Sequence, residues 1–262
     1  METYESPFKR LYNFRDIGGK WTSDGKKLKE GILYRSGDLS KLNKKDMHRM
    51  ESFGFNLIVD VRGENERKTY PNKLVKNTAL QTVTVPLQHD SQEFNNKKEF
   101  FRYLKGETTL DFGEMMKGFY RTISFERTEQ IREIISILAD GTNYPLLLHC
   151  TGGKDRTGFI SALVQLLAGV PIEIVKQDYL LSNELNKKRM KKLERVIRWG
   201  TLFRVPTERL KPIFEVREEY LLETIESIIE KYGSIEEYLI RGCNIDRETI
   251  DTLKRNILDQ LF

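Results

Sequence analysis

The stretch LLLHCTGGKDRTG, from Leu146 to Gly158, constrains the fold more than any other part of this sequence. Its leading apolar residues are typical of a short buried strand. The run after Thr157 is apolar on almost every side, which is typical of a buried helix. Only a short, glycine-containing segment connects the two. The sequence therefore predicts a strand, a tight loop and a helix at the centre of the protein.

Further strands and helices are predicted on both sides of this unit. Strand candidates are 31–36, 57–61 and 80–87, and Asn43 with Asp46 indicates a helix start. From about 171 to 262 the periodicity is helical. The polar segment at about 89–125, with its phenylalanines, is predicted to be a helical lid, with a plain surface elaboration as the alternative. We expect one domain over 1–262.

Composition and charge limit the possible partners and location. Acidic and basic residues alternate along most of the chain and the net charge is only +5, so we expect no nucleic-acid partner and a mild preference for anionic substrates. No signal peptide or membrane span is evident, which predicts a cytoplasmic protein. Cys150 and Cys243 form no CxxC motif or histidine cluster, so neither a disulfide nor a metal site is predicted.

The loop between strand and helix has the composition of an anion site. A helix N-terminus and its free N–H groups attract a tetrahedral oxyanion, and Gly152 and Gly153 allow close backbone approach. Arg156 supplies a planar fork of donors for phosphate oxygens. The field that holds an anion also stabilises a thiolate, so Cys150 is predicted to be a nucleophile. A small core cysteine would leave the charged neighbours Lys154 to Arg156 unexplained.

These residues carry a family resemblance. The spacing His149-Cys150, five residues, then Arg156-Thr157-Gly158 resembles the signature of cysteine-based protein tyrosine phosphatases, and Lys154-Asp155 inside the loop resembles their bacterial branch of atypical dual-specificity and phosphoinositide phosphatases. Segments 13–19, 34–37, 60–62 and 234–239 resemble the accompanying motifs. The resemblance implies an α/β fold with a central, mostly parallel sheet flanked by helices.

The resemblance also implies the roles of individual residues. Cys150 would attack phosphorus and form a phosphocysteine, while Arg156 and the backbone of Thr151 to Arg156 bind the phosphate oxygens. Thr157 matches the hydroxyl that stabilises the departing thiolate, and His149 matches the residue that orients the loop, although a purely structural histidine is the alternative. No cofactor or metal is implied.

The general acid is less well defined by the sequence. Asp155 within the loop matches the acid position of lipid phosphatases, and Asp90 follows the strand candidate 80–87 where a mobile acid loop would lie. The alternatives are a salt bridge for Asp155 and an ordinary loop residue for Asp90.

Several charged residues keep two interpretations. Lys154 would bind a second phosphate or only raise the local potential. The three charged residues after the strand candidate 57–61 would brace the loop or form surface ion pairs: Asp60, Arg62 and Glu64. We expect Arg15 and Asp16 to hold the N-terminal segment.

The basic run 187–192 also has two interpretations. It would be a solvated helix face, or a patch that binds an anionic membrane, in which case the protein would contact the membrane peripherally.

The predicted function is phosphomonoester hydrolysis, with release of inorganic phosphate. Phosphotyrosine is the expected substrate, beside phosphoserine, phosphothreonine or phosphoinositides. The alternatives are phosphoinositide hydrolysis as the main activity, a non-catalytic phosphate-binding module and a rhodanese-like sulfurtransferase, whose loops typically lack the Arg-Thr-Gly exit. The sequence gives no prediction of oligomeric state.

Overall fold

The computed structural model describes residues 6–74, 79–88, 102 and 111–259. Within them, five strands form one sheet in the order β1–β2–β5–β3–β4. The strands are β1 (Arg15–Asp16), β2 (Leu33–Ser36), β3 (Leu57–Asp60), β4 (Gln81–Thr84) and β5 (Leu146–His149). Only β1 pairs antiparallel, with β2, and the other pairs are parallel. This confirms the predicted α/β class with a mostly parallel sheet.

Helices connect the parallel strands and form the C-terminal part. They are α1 (Lys44–Ser52), α2 (Glu64–Thr69), α3 (Phe112–Phe125), α4 (Thr128–Ala139), α5 (Arg156–Leu167), α6 (Ile172–Gly200), α7 (Thr207–Phe214), α8 (Glu218–Tyr232), α9 (Ile235–Glu237) and α10 (Arg247–Ile257). Asn43 caps α1 in a capping box with Asp46, as its sequence predicts. No described helix combines the length and apolarity needed to cross a bilayer.

The central strand β5 divides the core into two layers. Its side chains alternate between the faces of the sheet, so Leu146 and Leu148 pack with the larger cluster that includes α4 and α5, whereas Leu147 faces the smaller cluster around Phe14 and α1. Helix α5 is buried on almost every side, as the apolar run predicts. The loop that follows β5 is therefore anchored at both ends in the core.

Two predicted segments overlap only in part with the observed elements. The strand predicted over 80–87 forms only over Gln81–Thr84, at the edge of the sheet, and its first two residues are exposed. The predicted lid over about 89–125 lies mostly outside the described residues. Its last part, Phe112–Phe125, is helix α3, and Tyr120 and Ile123 of that helix are fully buried in the larger core cluster.

Candidate active site

The loop from Cys150 to Asp155 joins the carboxyl end of β5 to the first residue of α5, Arg156. This end of a parallel strand is where open α/β sheets place their ligand sites. Cys150 is only 2% exposed, and its Sγ accepts a hydrogen bond of 3.2 Å from the backbone N–H of Gly153. The loop therefore closes around the sulfur and presents a backbone donor to it.

Gly153 is required by the packing of this loop. Its φ is +63°, and a Cβ atom at this position would lie 2.4 Å from the carbonyl carbon and oxygen of Ser36 in β2. Any side chain here would force the loop away from the sheet. The glycine therefore fixes how closely the loop approaches the neighbouring strand.

Side chains from distant parts of the chain bind the carbonyl groups of the loop. Asn13 Nδ2 donates to the carbonyls of Gly152 and Gly153 at 3.2 and 2.7 Å. Asn186 Nδ2 in α6 donates to Gly152 at 3.1 Å, and Arg35 Nη2 donates to Gly153 at 2.8 Å. These donors hold the carbonyl oxygens through contacts from outside the loop, so its geometry depends on the N-terminal segment, β2 and α6.

Arg156 is held by Glu66, a residue in α2. Its Nη1 and Nη2 donate to Glu66 Oε2 and Oε1 at 2.6 and 2.8 Å, and the Thr151 hydroxyl also donates to Glu66. Although burial acts to raise the pKa of Glu66, Arg156 and Thr151 lower it to about 2. The carboxylate orients one edge of the guanidinium and leaves the Nε edge for a phosphate oxygen.

Asp155 is tied to the residues around it. Lys154 Nζ lies 2.8 Å from its Oδ2, and the Tyr120 hydroxyl donates to its Oδ1 at 3.3 Å. The Tyr120 and Tyr179 hydroxyls are 2.6 Å apart, and burial raises the pKa of both well above the ordinary value, so both stay protonated. The predicted salt bridge of Asp155 is present, and Lys154 itself is buried against the loop.

Asp60 and Arg62 form a buried pair next to His149. Arg62 donates to both carboxylate oxygens of Asp60, at 2.9 and 2.7 Å, and Asp60 Oδ2 lies 3.4 Å from His149 Nε2. Both residues are 1% exposed, so the alternative of a surface ion pair is wrong for them. Glu64 does form a surface ion pair, with Lys68 on the exposed side of α2.

Burial determines the charge state of His149. Burial lowers the pKa of His149 to about 4, because the neighbouring carboxylate only partly offsets the loss of water. Burial acts to raise the pKa of Asp60, but Arg62 and His149 bring it below the ordinary value. His149 is therefore neutral near pH 7 and holds the end of β5 beside Cys150.

A cluster of three cations and one carboxylate lies beneath the loop. Asp178 in α6 accepts hydrogen bonds from Arg15 Nε and Arg35 Nη1, both at 3.0 Å, and Lys20 Nζ is 3.5 Å away. Burial acts to raise the pKa of Asp178, but these three cations lower it far below the ordinary value. The excess of positive charge favours an anion in the loop above.

The two N-terminal residues of the sequence prediction have different roles. Arg15 joins α6 through Asp178 and Ser182, which holds the N-terminal segment as expected. The Asp16 carboxylate accepts from the backbone N–H groups of Gly18 and Gly31 and so holds the local turn. Neither side chain contacts the sulfur of Cys150 in the described structure.

The basic run 187–192 divides into two groups. Lys187, Lys188, Lys191 and Lys192 are exposed, which fits both a solvated helix face and a patch for an anionic membrane. Arg189 is half-buried and faces the loop, since its Nη1 would lie 3.4 Å from a Cβ atom on Gly152 and its Nη2 is 3.9 Å from Asp38. It places a further cation beside the phosphate loop.

Thr157 is fully buried, and its hydroxyl has no hydrogen-bond partner among the described residues. Asp90 lies outside the described residues, so its role stays a prediction. In the described part of the chain, no group of three or more His, Cys, Asp or Glu side chains is placed to hold a metal ion.

Sequence reasoning missed most of the residues that support the loop. Glu66, Asn13, Arg35 and Asn186 contact it from segments that are distant along the chain, and Asp178 acts through Arg35. Asn13 and Arg35 lie inside the motifs that resemble the family, and only this resemblance indicated that they belong to the site. Nothing in the local sequence distinguished Glu66 from an ordinary exposed helix residue.

Comparison with known proteins decides the family of this chain. A family model described as the tyrosine phosphatase family matches residues 6–259. The chain belongs to the tyrosine phosphatase family. As a tyrosine phosphatase it acts on phosphorylated substrates and releases phosphate, which confirms the predicted enzyme class and leaves the rhodanese-like alternative without support.

The chain is similar to two curated proteins and, more distantly, to one solved structure. A putative tyrosine-protein phosphatase of Cupriavidus necator is 27% identical over 93% of this chain and 85% of its own. The triple specificity protein phosphatase PtpB of Mycobacterium tuberculosis is 27% identical over 94% of this chain and 96% of its own. The core catalytic domain of the PP-IP phosphatase SIW14 from S. cerevisiae matches with a TM-score of 0.39 at 14% identity, over 67% of this chain and 78% of that one.

Proposed function

We propose that this tyrosine phosphatase hydrolyses phosphomonoesters through a phosphocysteine intermediate on Cys150. The observation that carries the proposal is the closure of the loop around the sulfur, with the Gly153 N–H on Sγ and Arg156 at the N-terminus of α5. A site that stabilises negative charge on sulfur also stabilises the equatorial oxygens of a phosphoryl group in transfer.

The reaction has two steps in this site. In the first, the thiolate of Cys150 attacks phosphorus, the bond to the ester oxygen breaks, and a general acid protonates the leaving alcohol or phenol. In the second, water attacks the phosphocysteine, the P–S bond breaks, and the conjugate base takes the proton from water. Arg156 binds two phosphate oxygens throughout, and the hydroxyl of Thr157, which has no hydrogen-bond partner among the described residues, donates to the departing sulfur.

We assign the general acid to Asp155, with Asp90 as the alternative. Asp155 lies in the loop itself, one residue before Arg156, within hydrogen-bond distance of Lys154 and Tyr120. In this proposal Lys154 moves from Asp155 towards the phosphate when substrate binds, which frees the carboxyl group to face the leaving oxygen. Binding of a second anionic group by Lys154 would favour that movement.

The experiment compares the pH dependence of initial rates for wild type, Asp155→Asn and Asp90→Asn. Para-nitrophenyl phosphate has a good leaving group and needs little protonation, whereas phosphoserine peptides need a proton. If Asp155 is the acid, Asp155→Asn removes the basic limb and lowers phosphoserine turnover far more than that of para-nitrophenyl phosphate. Loss of the basic limb only in Asp90→Asn would overturn the assignment and indicate a mobile acid loop.

We propose a broad substrate range, with phosphotyrosine cleaved readily and phosphoserine, phosphothreonine and phosphoinositides also accepted. The support is the similarity to a relative named a triple specificity phosphatase, together with the extra cations Lys154 and Arg189 beside the loop. Phosphoinositide hydrolysis as the main activity is the second candidate, favoured by the same cations. Relative kcat/KM values for phosphotyrosine peptide, phosphoserine peptide and phosphatidylinositol phosphates test this. Absence of phosphotyrosine turnover would contradict it.

We also propose a reducing, cytoplasmic location, because Cys150 and Cys243 are both free thiols. A thiol catalyst needs such surroundings to stay active. Fractionation of cells that express a tagged full-length chain tests this, and recovery of the protein only outside the cytoplasm would contradict it.

A further inference from the structure

The C-terminal end of α6 presents large apolar side chains to solvent. We call Val196, Trp199, Leu202 and Phe203 the apolar tip, and they are 61%, 66%, 73% and 53% exposed. Val196 and Trp199 are three residues apart on the helix and so share one face, and beyond the helix end at Gly200 the Phe203 ring lies 5.2 Å from that of Trp199. An exposed apolar group of this kind indicates an interaction surface.

The backbone of the tip is fixed in an unusual conformation. Leu202 and Phe203 have φ values of +49° and +60°, a region that residues other than glycine and asparagine rarely adopt. The Phe203 N–H donates to the Arg198 carbonyl at 2.7 Å, and the Arg198 guanidinium lies 5.3 Å from the centre of the Phe203 ring. These contacts close the turn while the Leu202 and Phe203 side chains stay exposed.

Positive charge surrounds the apolar tip. Residues 187–204 contain eight lysines and arginines and one acidic residue, Glu194, so this segment carries a charge of +7 against +5 for the whole chain. The remainder of the chain is thus slightly negative. Lys188, Lys191, Lys192 and Arg195 on α6 are exposed.

We propose that the apolar tip inserts into the interfacial layer of an anionic phospholipid bilayer. Tryptophan and other large apolar residues beside a basic helix face are the features by which helices bind the surface of anionic membranes. A second copy of this chain is a poorer occupant, because a symmetric contact would bring two strongly positive segments together. The positive charge of segment 187–204 therefore favours an anionic bilayer over a second copy of this chain.

Docking at the tip would bring the phosphate loop to the membrane. Asn186 and Arg189 of the same helix lie at the loop, and thirteen residues of helix separate Asn186 from Trp199, about 20 Å. This inference rests on the proposed function in one respect: it assigns the substrate class of the site to anionic lipids with phosphorylated headgroups. Binding of the tip to vesicles does not depend on catalysis.

Tryptophan fluorescence tests insertion directly. The chain has two tryptophans, Trp21 and Trp199, so the variant Trp21→Phe leaves Trp199 as the single reporter. With phosphatidylserine-containing vesicles we expect a blue shift of its emission and quenching by brominated lipid, and no change with phosphatidylcholine alone. Unchanged emission with both kinds of vesicle would overturn the proposal, as would a shift that arises from dimerisation without vesicles.

Two variants separate the apolar and the basic contributions. Leu202→Asn with Phe203→Asn removes apolar side chains and suits the positive φ, so the turn is retained. Lys191→Glu with Lys192→Glu reverses two exposed charges, and we expect each pair to weaken binding to anionic vesicles by at least about tenfold. The matched control is Lys44→Glu with Lys45→Glu, at exposed positions in the first turn of α1. Equal loss in the control would overturn a specific role for the tip.

Turnover of two substrates distinguishes this inference from the proposed function. The tip variants should hydrolyse para-nitrophenyl phosphate at the wild-type rate, and KM for phosphatidylinositol phosphate in phosphatidylserine vesicles should rise about tenfold. Unchanged KM on vesicles would overturn the docking role. If the wild type cleaves no para-nitrophenyl phosphate yet binds vesicles, the proposed function fails and the docking site stands.

Discussion

Two cysteines of this chain are equally buried but lie in opposite surroundings. Cys150 and Cys243 are both free and 2% exposed. Cys243 follows a π-helical turn (Tyr238–Gly242) in the apolar core, and burial raises the pKa of its thiol to about 12. Cys150 has a backbone donor on its sulfur and Arg156 beside it. Equal burial therefore does not give the two thiols the same partners: a loop N–H and Arg156 face Cys150, whereas Cys243 has the Tyr238 hydroxyl as its partner inside an apolar cluster. We propose that this difference makes Cys150 the nucleophile.

The largest expected effect comes from substituting each cysteine by serine. Cys150→Ser should lower kcat for para-nitrophenyl phosphate by at least about 10⁴-fold, because the nucleophile is lost. Cys243→Ser should leave kcat within a few-fold and lower the free energy of unfolding by about 1–3 kcal/mol, because it replaces a buried sulfur in a mainly apolar cluster by a more polar hydroxyl. Equal activities for the two variants would contradict the claim that Cys150, and not Cys243, is the nucleophile.

The second effect tests the donors around Cys150. Arg156→Lys keeps the charge but removes the planar guanidinium. The variant loses both the fork that binds two phosphate oxygens and the two hydrogen bonds to Glu66, so kcat/KM should fall by about 10²- to 10³-fold. Arg121→Lys, on the exposed face of α3, is the matched control and should change little. Steady-state kinetics with para-nitrophenyl phosphate measure both, and wild-type kcat/KM in Arg156→Lys would contradict the role of the fork.

The third effect is a difference in oxidation between the two thiols. On the proposed mechanism Cys150 is the reactive thiol, whereas burial keeps Cys243 protonated, so peroxide should oxidise Cys150 at least about 100-fold faster than Cys243. Activity should be lost in parallel and recovered with dithiothreitol. Mass spectrometry of the trapped thiols after a time course measures the two rates. Oxidation of Cys243 first, with activity retained, would refute the prediction.

The smallest effect concerns the polar support of Cys150. The pKa of His149 is lowered to about 4, so the unfolded chain takes up a proton below pH 6.5 that the folded chain excludes until about pH 4. Stability should therefore rise with pH over this window. Acidification from pH 7 to 5 should lower the free energy of unfolding by about 2 kcal/mol through this residue.

Urea unfolding of wild type, His149→Asn and His48→Gln at both pH values measures this effect. His149→Asn should reduce the loss of stability on acidification, because no buried imidazole remains to be protonated. His48 is exposed on α1 and serves as the matched control, so His48→Gln should retain the wild-type loss. An unchanged loss in His149→Asn would assign the pH dependence to other groups.

The strand, loop and helix around Cys150 were predictable because their signals are local. Three leucines, two glycines and a long apolar run follow one another directly, and each indicates one element. The capping box at Asn43 was predictable for the same reason. In contrast, the strand over 80–87 was predicted too long, because its alternating pattern continues beyond the four residues that pair with β3.

The support of the loop was not predictable, because it depends on pairing across the fold. Glu66 and Arg156 are 90 positions apart, and Asn13 and Gly153 are 140 apart. Asp178 lies in a helix whose sequence pattern gives no reason for a buried acid. Only the packing of α6 against the N-terminal segment brings it to Arg15 and Arg35. Burial of Asp60 and Arg62 likewise follows from their contact with β5 and not from their own sequence.

The most direct test of the account is capture of the phosphoenzyme. Wild type and Cys150→Ser are mixed with para-nitrophenyl phosphate, quenched in acid within the first turnovers, and digested for mass spectrometry. We expect the peptide that contains Cys150 to gain one phosphoryl group in the wild type, with no phosphorylated peptide in Cys150→Ser. Phosphorylation of another residue, or wild-type turnover in Cys150→Ser, would contradict a nucleophile at Cys150.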